Sequence, residues 1–165
     1  MAIREITKIG EEVLRKRCHP VNAFDKKLHL LLRDMAETMY AADGVGLAAP
    51  QVGILRRIVV IDVGDGLIEL INPVILETRG AEVGPEGCLS VPGRQGKVER
   101  PTWVKVLAQD RKGRAIELEG DGLLARCVCH ELDHLDGVLY CDKMIEEITE
   151  NNTEENTEEQ ENGEA

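Results

Sequence analysis

One stretch, Asp121-Gly-Leu-Leu-Ala-Arg-Cys-Val-Cys-His-Glu-Leu-Asp-His-Leu-Asp-Gly137, constrains this chain more than any other. It reads as a single helix: Asp121 is placed to cap the start, Gly137 supplies a left-handed stop, and no proline interrupts. At 3.6 residues per turn Leu123, Cys127, His130 and His134 share one stripe, while Leu124, Val128 and Leu135 lie nearer another. The second stripe suits a core and the first suits a site. His130 and His134 stand four apart, so their imidazoles project side by side and can grip one metal ion. Glu131 is offset by one position, within reach of a metal-bound water without being a ligand. That is the logic of a His-Glu-x-x-His hydrolase.

Two imidazoles leave such a centre incomplete, because catalytic zinc-like sites use three protein ligands and keep one position open. One metallopeptidase class continues the motif to a third histidine. This chain follows that pattern through Gly137 and then carries Tyr140 in the histidine's place. Another class takes a glutamate from a later helix, yet only Glu146 and the residues after it remain. The third ligand is expected upstream.

The 165 residues, 42% of them hydrophobic, support one domain with a single core, expected to span residues 1–147. The net charge of −11 is concentrated at the end: residues 146–165 hold nine of the 31 acids and no base, leaving 22 acids against 20 bases elsewhere. Residues 148–165 read as an acidic, disordered tail. No apolar run is long enough to span a membrane and the N-terminus lacks a signal-peptide pattern, so a cytoplasmic protein with no membrane partner is expected. Aromatic residues are only 2% and no basic patch is interleaved with them, which disfavours specific DNA or other nucleic-acid binding. Five cysteines without framework spacing suit reduced thiols. With no obvious exposed apolar stripe, a monomer is the simplest expectation.

Residues 1–21 read as an arm laid on the domain, with Cys18 and His19 as packing or surface residues ahead of Pro20. From residue 22 or 25 to residue 42, Leu28, Leu31, Leu32, Met35, Met39 and Ala42 recur with a helical period, and His29 falls off that stripe as a solvated residue. Residues 56–63, 67–76, 104–109 and 115–118 read as strands, with hairpin turns at Asp65-Gly66 and Lys112-Gly113. Strands cluster rather than alternate with the two helices, which predicts an α+β fold of largely antiparallel sheet around the metal-binding helix.

Two glycine-containing segments remain. Asp43-Gly-Val-Gly-Leu-Ala-Ala-Pro-Gln51 is neither a dinucleotide fingerprint nor a phosphate loop, but its small residues allow close approach of an extended ligand, and Gln51 offers a neutral amide donor. Gly84-Pro-Glu-Gly-Cys-Leu-Ser-Val-Pro92 reads as irregular and exposed. Its Cys88 is either a buried apolar thiol or, if the chain returns to the helix, a thiolate that completes the ligand set.

Taken together, Gly44 to Gln51, Glu86-Gly-Cys-Leu-Ser90 and His130-Glu-Leu-Asp-His134, in that order, resemble the peptide deformylase family, over roughly residues 2–144. The resemblance implies hydrolysis of the N-formyl group from the N-terminal methionine of newly synthesised polypeptides, releasing formate. Cys88, His130 and His134 would hold one divalent metal ion, ferrous iron in the cell, with zinc, nickel or cobalt able to replace it. Glu131 would serve as general base and then acid, with the Gln51 amide and the Leu89 backbone N–H as oxyanion donors. Val45, Leu123 and Cys127 would line an apolar pocket for methionine, Arg126 would frame its mouth with its aliphatic stem, and Gly46 and Gly87 would pair with the peptide backbone. Asp133 is a candidate partner for Arg100 or orienter of a ligand. Substrates would be formyl-methionyl nascent peptides, with transient ribosome contact left in doubt by the acidic end. Two competing readings are a general metalloendopeptidase, which the missing third histidine disfavours, and an idle binding module, which would need neither Glu131 nor Gln51.

Overall fold

The computed structural model describes residues 2–149. Helix α1 (Lys26–Ala41) begins at Asp25, whose carboxylate accepts a hydrogen bond from the Leu28 N–H at 3.1 Å. The helical period turns Leu28, Leu32, Met35 and Met39 inward, where they are buried. Asp34 and Thr38 are buried beside them and take up the N-terminal arm. The Asp34 carboxylate accepts from Ala2 N–H and Arg4 Nε at 3.1 Å each, and Thr38 Oγ1 accepts from Arg4 N–H at 2.9 Å.

Strands β1 (Gly46–Ala48), β2 (Ile58–Ile61), β3 (Ile68–Arg79), β6 (Trp103–Gln109) and β7 (Ala115–Asp121) form one antiparallel sheet in the order β1-β2-β3-β6-β7. Strand β2 shows why its sequence is an unbroken Ile-Val-Val-Ile. Ile58 and Val60 face α1, Val59 and Ile61 face α2 (Gly122–Leu135), and all four are buried. On the α2 side the helix contributes Ala125, Val128, Cys129, Leu132 and Leu135 to a core shared with Leu70, Val104, Val106 and Ala108. Each large side chain shielded this way contributes about 1.5–3 kcal/mol. The sheet is thus covered on both faces, and α2 is held rigidly along one side of it. These antiparallel sheets with two helices make an α+β fold.

A second antiparallel sheet, ordered β4-β5-β8, is built from β4 (Glu82–Cys88), β5 (Val91–Arg100) and β8 (Glu146–Ile148). Here the structure departs from the sequence reading, which took residues 84–92 as irregular and began the tail at Ile148, the last residue of β8. Strand pairing, not apolar alternation, sets this hairpin, and Pro85 is tolerated because β4 is an edge strand. Strand β8 is drawn onto β5 by its ladder and by the Arg94–Glu147 and Lys97–Glu146 ion pairs, at 2.7 and 3.7 Å. The expected tail otherwise lies outside the described residues from 150 onward.

Smaller corrections follow from local chemistry. Asp121 occupies the N-cap position of α2, but its side chain makes no capping hydrogen bond. Gly137 does lie past the helix end with φ +76°. His29 is half-buried rather than solvated, with Nε2 2.8 Å from the Arg111 carbonyl oxygen. Cys18 packs in the core under α2, whereas His19 is exposed. Among the described residues no helix is long and apolar enough to cross a membrane.

Candidate metal centre

Three elements meet where α2 passes the end of β4. The helix presents His130, Glu131 and His134, the last residue of β4 is Cys88, and a short 3-10 turn (Ala49–Val52) following β1 brings in Gln51. Donor atoms of Cys88, His130 and His134 all lie within 4.8 Å of one another, with Cys88 Sγ 3.4 Å from His134 Nε2. A tetrahedral ion with metal–sulfur near 2.3 Å and metal–nitrogen near 2.0–2.1 Å sets its sulfur and nitrogen ligands about 3.5 Å apart. One thiol and two imidazoles at this spacing therefore fit a single divalent cation, and the donor chemistry suits zinc or a neighbouring transition metal.

The two imidazoles are held differently. His130 Nδ1 lies 2.8 Å from Glu86 Oε1, a bond that fixes the ring and leaves Nε2 facing the cluster. Glu86 is itself buried and accepts from Arg100 Nε and Nη2 at 2.8 and 2.9 Å and from Arg126 Nη1 at 2.7 Å. Burial alone would raise the Glu86 carboxyl, but the Arg100 and His130 bonds outweigh it and hold it near 2. Arg100 also bonds Asp133 Oδ2 at 2.7 Å, and Asp133 in turn meets Lys143 Nζ at 3.0 Å. His134 has no such support: its Nδ1 is buried without a hydrogen-bond partner, and burial pushes its pKa down. Tyr140 stacks on His130 with ring centroids 6.0 Å apart.

Glu131 is 3% exposed, with Oε1 3.8 Å from His130 Nε2 and Oε2 buried without a hydrogen-bond partner. Burial raises its pKa to about 7, with the nearby Glu86 charge adding to the rise and His130 opposing it. Gln51 is also buried. Its Oε1 accepts from Ala48 N–H at 2.9 Å, which orients Nε2 toward Ser90 Oγ at 3.1 Å and Cys88 Sγ at 3.5 Å. Gly46 explains why β1 carries no side chain there, since a Cβ would stand 2.9 Å from both Cys127 Sγ and Glu131 Oε1.

Beside the cluster lies a cleft of about 560 Å³ lined by Val45, Gly46, Gln51, Gly87, Cys88, Leu89, Leu123, Arg126, Cys127, His130 and Glu131, while His134, Asp133 and Arg100 lie outside its lining. Val45 and Leu123 stand at its exposed rim, and Cys127 is buried with Sγ 3.7 Å from the Val45 carbonyl oxygen. Leu89 occupies the turn between β4 and β5. Arg126 lines the cleft, and its guanidinium turns onto the second sheet. The sequence reading missed Glu86 as the partner of His130. The available signal was its position two residues before Cys88, which in a strand puts both on one face.

A family model described as polypeptide deformylase matches residues 3–150. The chain belongs to the polypeptide deformylase family. It is 62% identical over 146 residues to peptide deformylase 1 of Clostridium acetobutylicum, covering 88% of this chain and 97% of that one. To peptide deformylase 1 of Bacillus anthracis it is 58% identical over 153 residues, covering 92% and 98%. Among solved structures, the peptide deformylase of Thermotoga maritima superposes with a TM-score of 0.86 at 48% identity, covering 87% of this chain and 99% of that one. The enzyme of Synechococcus elongatus in complex with actinonin gives 0.83 at 46% identity, covering 86% and 80%. The fold and enzyme class of this deformylase-family chain follow from these likenesses together with the antiparallel sheets and the Cys/His/His cluster.

Proposed function

We propose that the chain removes the formyl group from the N-terminal methionine of newly synthesised polypeptides, releasing formate. The observation that carries the reading is the Glu131 carboxylate, buried with one oxygen unpartnered, between a three-donor cluster and an open cleft in a deformylase-family chain. Cys88, His130 and His134 would hold one divalent cation, which supplies Lewis-acid activation of water and of the formyl carbonyl. Ferrous iron is the proposed ion in the cell, with zinc, nickel or cobalt as replacements.

Glu131 takes the proton of the attacking water and delivers it to the departing amine, a task suited to a carboxyl raised to about 7. The Gln51 amide, locked by the Ala48 N–H, donates to the oxyanion as it develops, with the Leu89 backbone N–H as second donor. Such donors need no reorganisation at the moment of reaction. Val45, Leu123 and Cys127 receive the unbranched methionine side chain. The following backbone pairs at Gly46 and Gly87, which lie on β1 and β4, each an edge strand of its sheet and each on the cleft. We further propose a cytoplasmic monomer that meets nascent chains with at most transient ribosome contact.

The test is formate release from a formyl-methionyl tripeptide, run without oxygen after loading with iron or nickel. Glu131→Gln is expected to keep the metal while losing about 10²–10⁴ in turnover. No formate from metal-loaded protein, or cleavage at internal peptide bonds, would overturn the assignment.

A further inference from the structure

We propose that Arg126 is a positioning residue: it staples the metal helix to the strand that carries Cys88 and so holds the three donors at their binding separation. Arg126 sits one helical turn before His130 on α2. Its Nη1 donates to Glu86 Oε2 at 2.7 Å and to the Val98 carbonyl at 2.9 Å, and its Nη2 donates to the Glu82 carbonyl at 3.0 Å. One planar head thereby joins α2 to both β4 and β5, and its side chain is 13% exposed.

The space for that head is made by residue 84. A Cβ on Gly84 would stand 3.0 Å from Arg126 Nη2 and 3.1 Å from Cζ, tighter than ordinary contact. The bare glycine lets the guanidinium lie against β4. Lysine cannot reproduce this, because a single ammonium cannot serve two backbone carbonyls and a carboxylate in a fixed fork. The Glu86 carboxylate shared with Arg126 also accepts from His130 Nδ1 at 2.8 Å, so the same residue steadies a ligand from each side of the centre. Strand β4 needs such a clamp, since it is an edge strand with a register shift between Glu86 and Cys88. Arg100 grips Glu86 too, but no carbonyl of β4 is bonded by its side chain.

This inference rests on the Cys88/His130/His134 metal reading, and the test separates the two. The nickel-loaded full chain is challenged with excess chelator and the rate of metal loss recorded, alongside kcat and KM for formyl-peptide turnover. Arg126→Leu is expected to lose metal about 10–100-fold faster. Arg126→Lys should resemble Leu more than wild type. Gly84→Ala, at a position outside the cleft lining, should also speed metal loss several-fold and should add little in an Arg126→Leu background. Should the leucine variant fail to fold, Gly84→Ala decides alone. Metal loss at the wild-type rate in Arg126→Leu and Gly84→Ala, or a change confined to KM, overturns the staple and leaves Arg126 as a wall of the cleft. A wild-type protein that takes up no cation overturns the metal reading and this inference with it.

Discussion

Glu86→Gln isolates the charge at the heart of the buried network. The Glu86 side chain is 4% exposed and contacts Arg100 at 3%, Arg126 at 13% and the His130 ring at 9%. Glutamine keeps the volume and one acceptor oxygen. Its amide N–H₂, however, must then face Arg100 or His130 Nδ1, a donor against a donor. Removing one partner of a buried ion pair costs roughly 3–5 kcal/mol. Asp133 still neutralises Arg100 from 2.7 Å, so the lower end applies, about 3 kcal/mol. For a chain of this size each kcal/mol moves Tm by about 2–4 °C, which gives a fall of roughly 6–12 °C. Thermal melts of metal-free protein followed by circular dichroism measure this directly. Chelator challenge of the nickel form should show weaker retention by about 10–100-fold, because His130 loses its orienting carboxylate. A Tm within 2 °C of wild type together with unaltered metal retention would refute the view that this carboxylate organises the centre.

Gly46→Ala should lower kcat/KM for formyl-peptide turnover at least about tenfold, roughly 1.4 kcal/mol of barrier, because the new Cβ meets Glu131 Oε1 and Cys127 Sγ at 2.9 Å. Formate assays on folded, metal-loaded variant check this, and wild-type kcat/KM would contradict the packing. On the far side of the first sheet, Leu32→Ala removes a fully buried side chain and should cost about 2–5 kcal/mol in urea unfolding, with turnover per folded molecule unchanged. Asp34 offers a pH test. Burial acts to raise its carboxyl, but bonds from Ala2 and Arg4 prevail and hold it below the usual value. A carboxyl depressed on folding stabilises fully above its unfolded pKa of about 3.9, and that contribution fades as pH falls through the folded value. The Tm gap between wild type and Asp34→Asn should therefore be constant from pH 5 to 7 and narrow as pH falls below about 3.9; a gap that widens on acidification would reverse the sign of the argument.

The parts of this fold that were legible in sequence are those whose instructions are local. Helix α1 announces itself through Asp25 and the spacing of Leu28, Leu32, Met35 and Met39, and β2 through four consecutive β-branched residues buried on both faces. His130, Glu131 and His134 were legible for the same reason, since a helix turns sequence spacing directly into geometry. Cys88 was not placed by spacing at all: 42 residues separate it from His130, and what brings them together is a hairpin docked on the helix. That hairpin hid because residues 82–100 hold four glycines and two prolines, and because its buried positions include Glu86 and Arg100.

A buried charge reads in sequence as a surface charge, and only its partners say otherwise. Those of Glu86 arrive from β5 and α2, 14, 40 and 44 residues away. What the head of Arg126 does was hidden on the same ground, because its four acceptors, on Glu82, Gly84, Glu86 and Val98, all come from the second sheet. The difficulty is inherent in this kind of centre. An imidazole that must keep one tautomer and one orientation needs a fixed charged neighbour, and that neighbour can be desolvated only where the tertiary fold supplies its counterions. In this chain the residues that bear on the ion are therefore written locally, while those that hold them still are written across the fold.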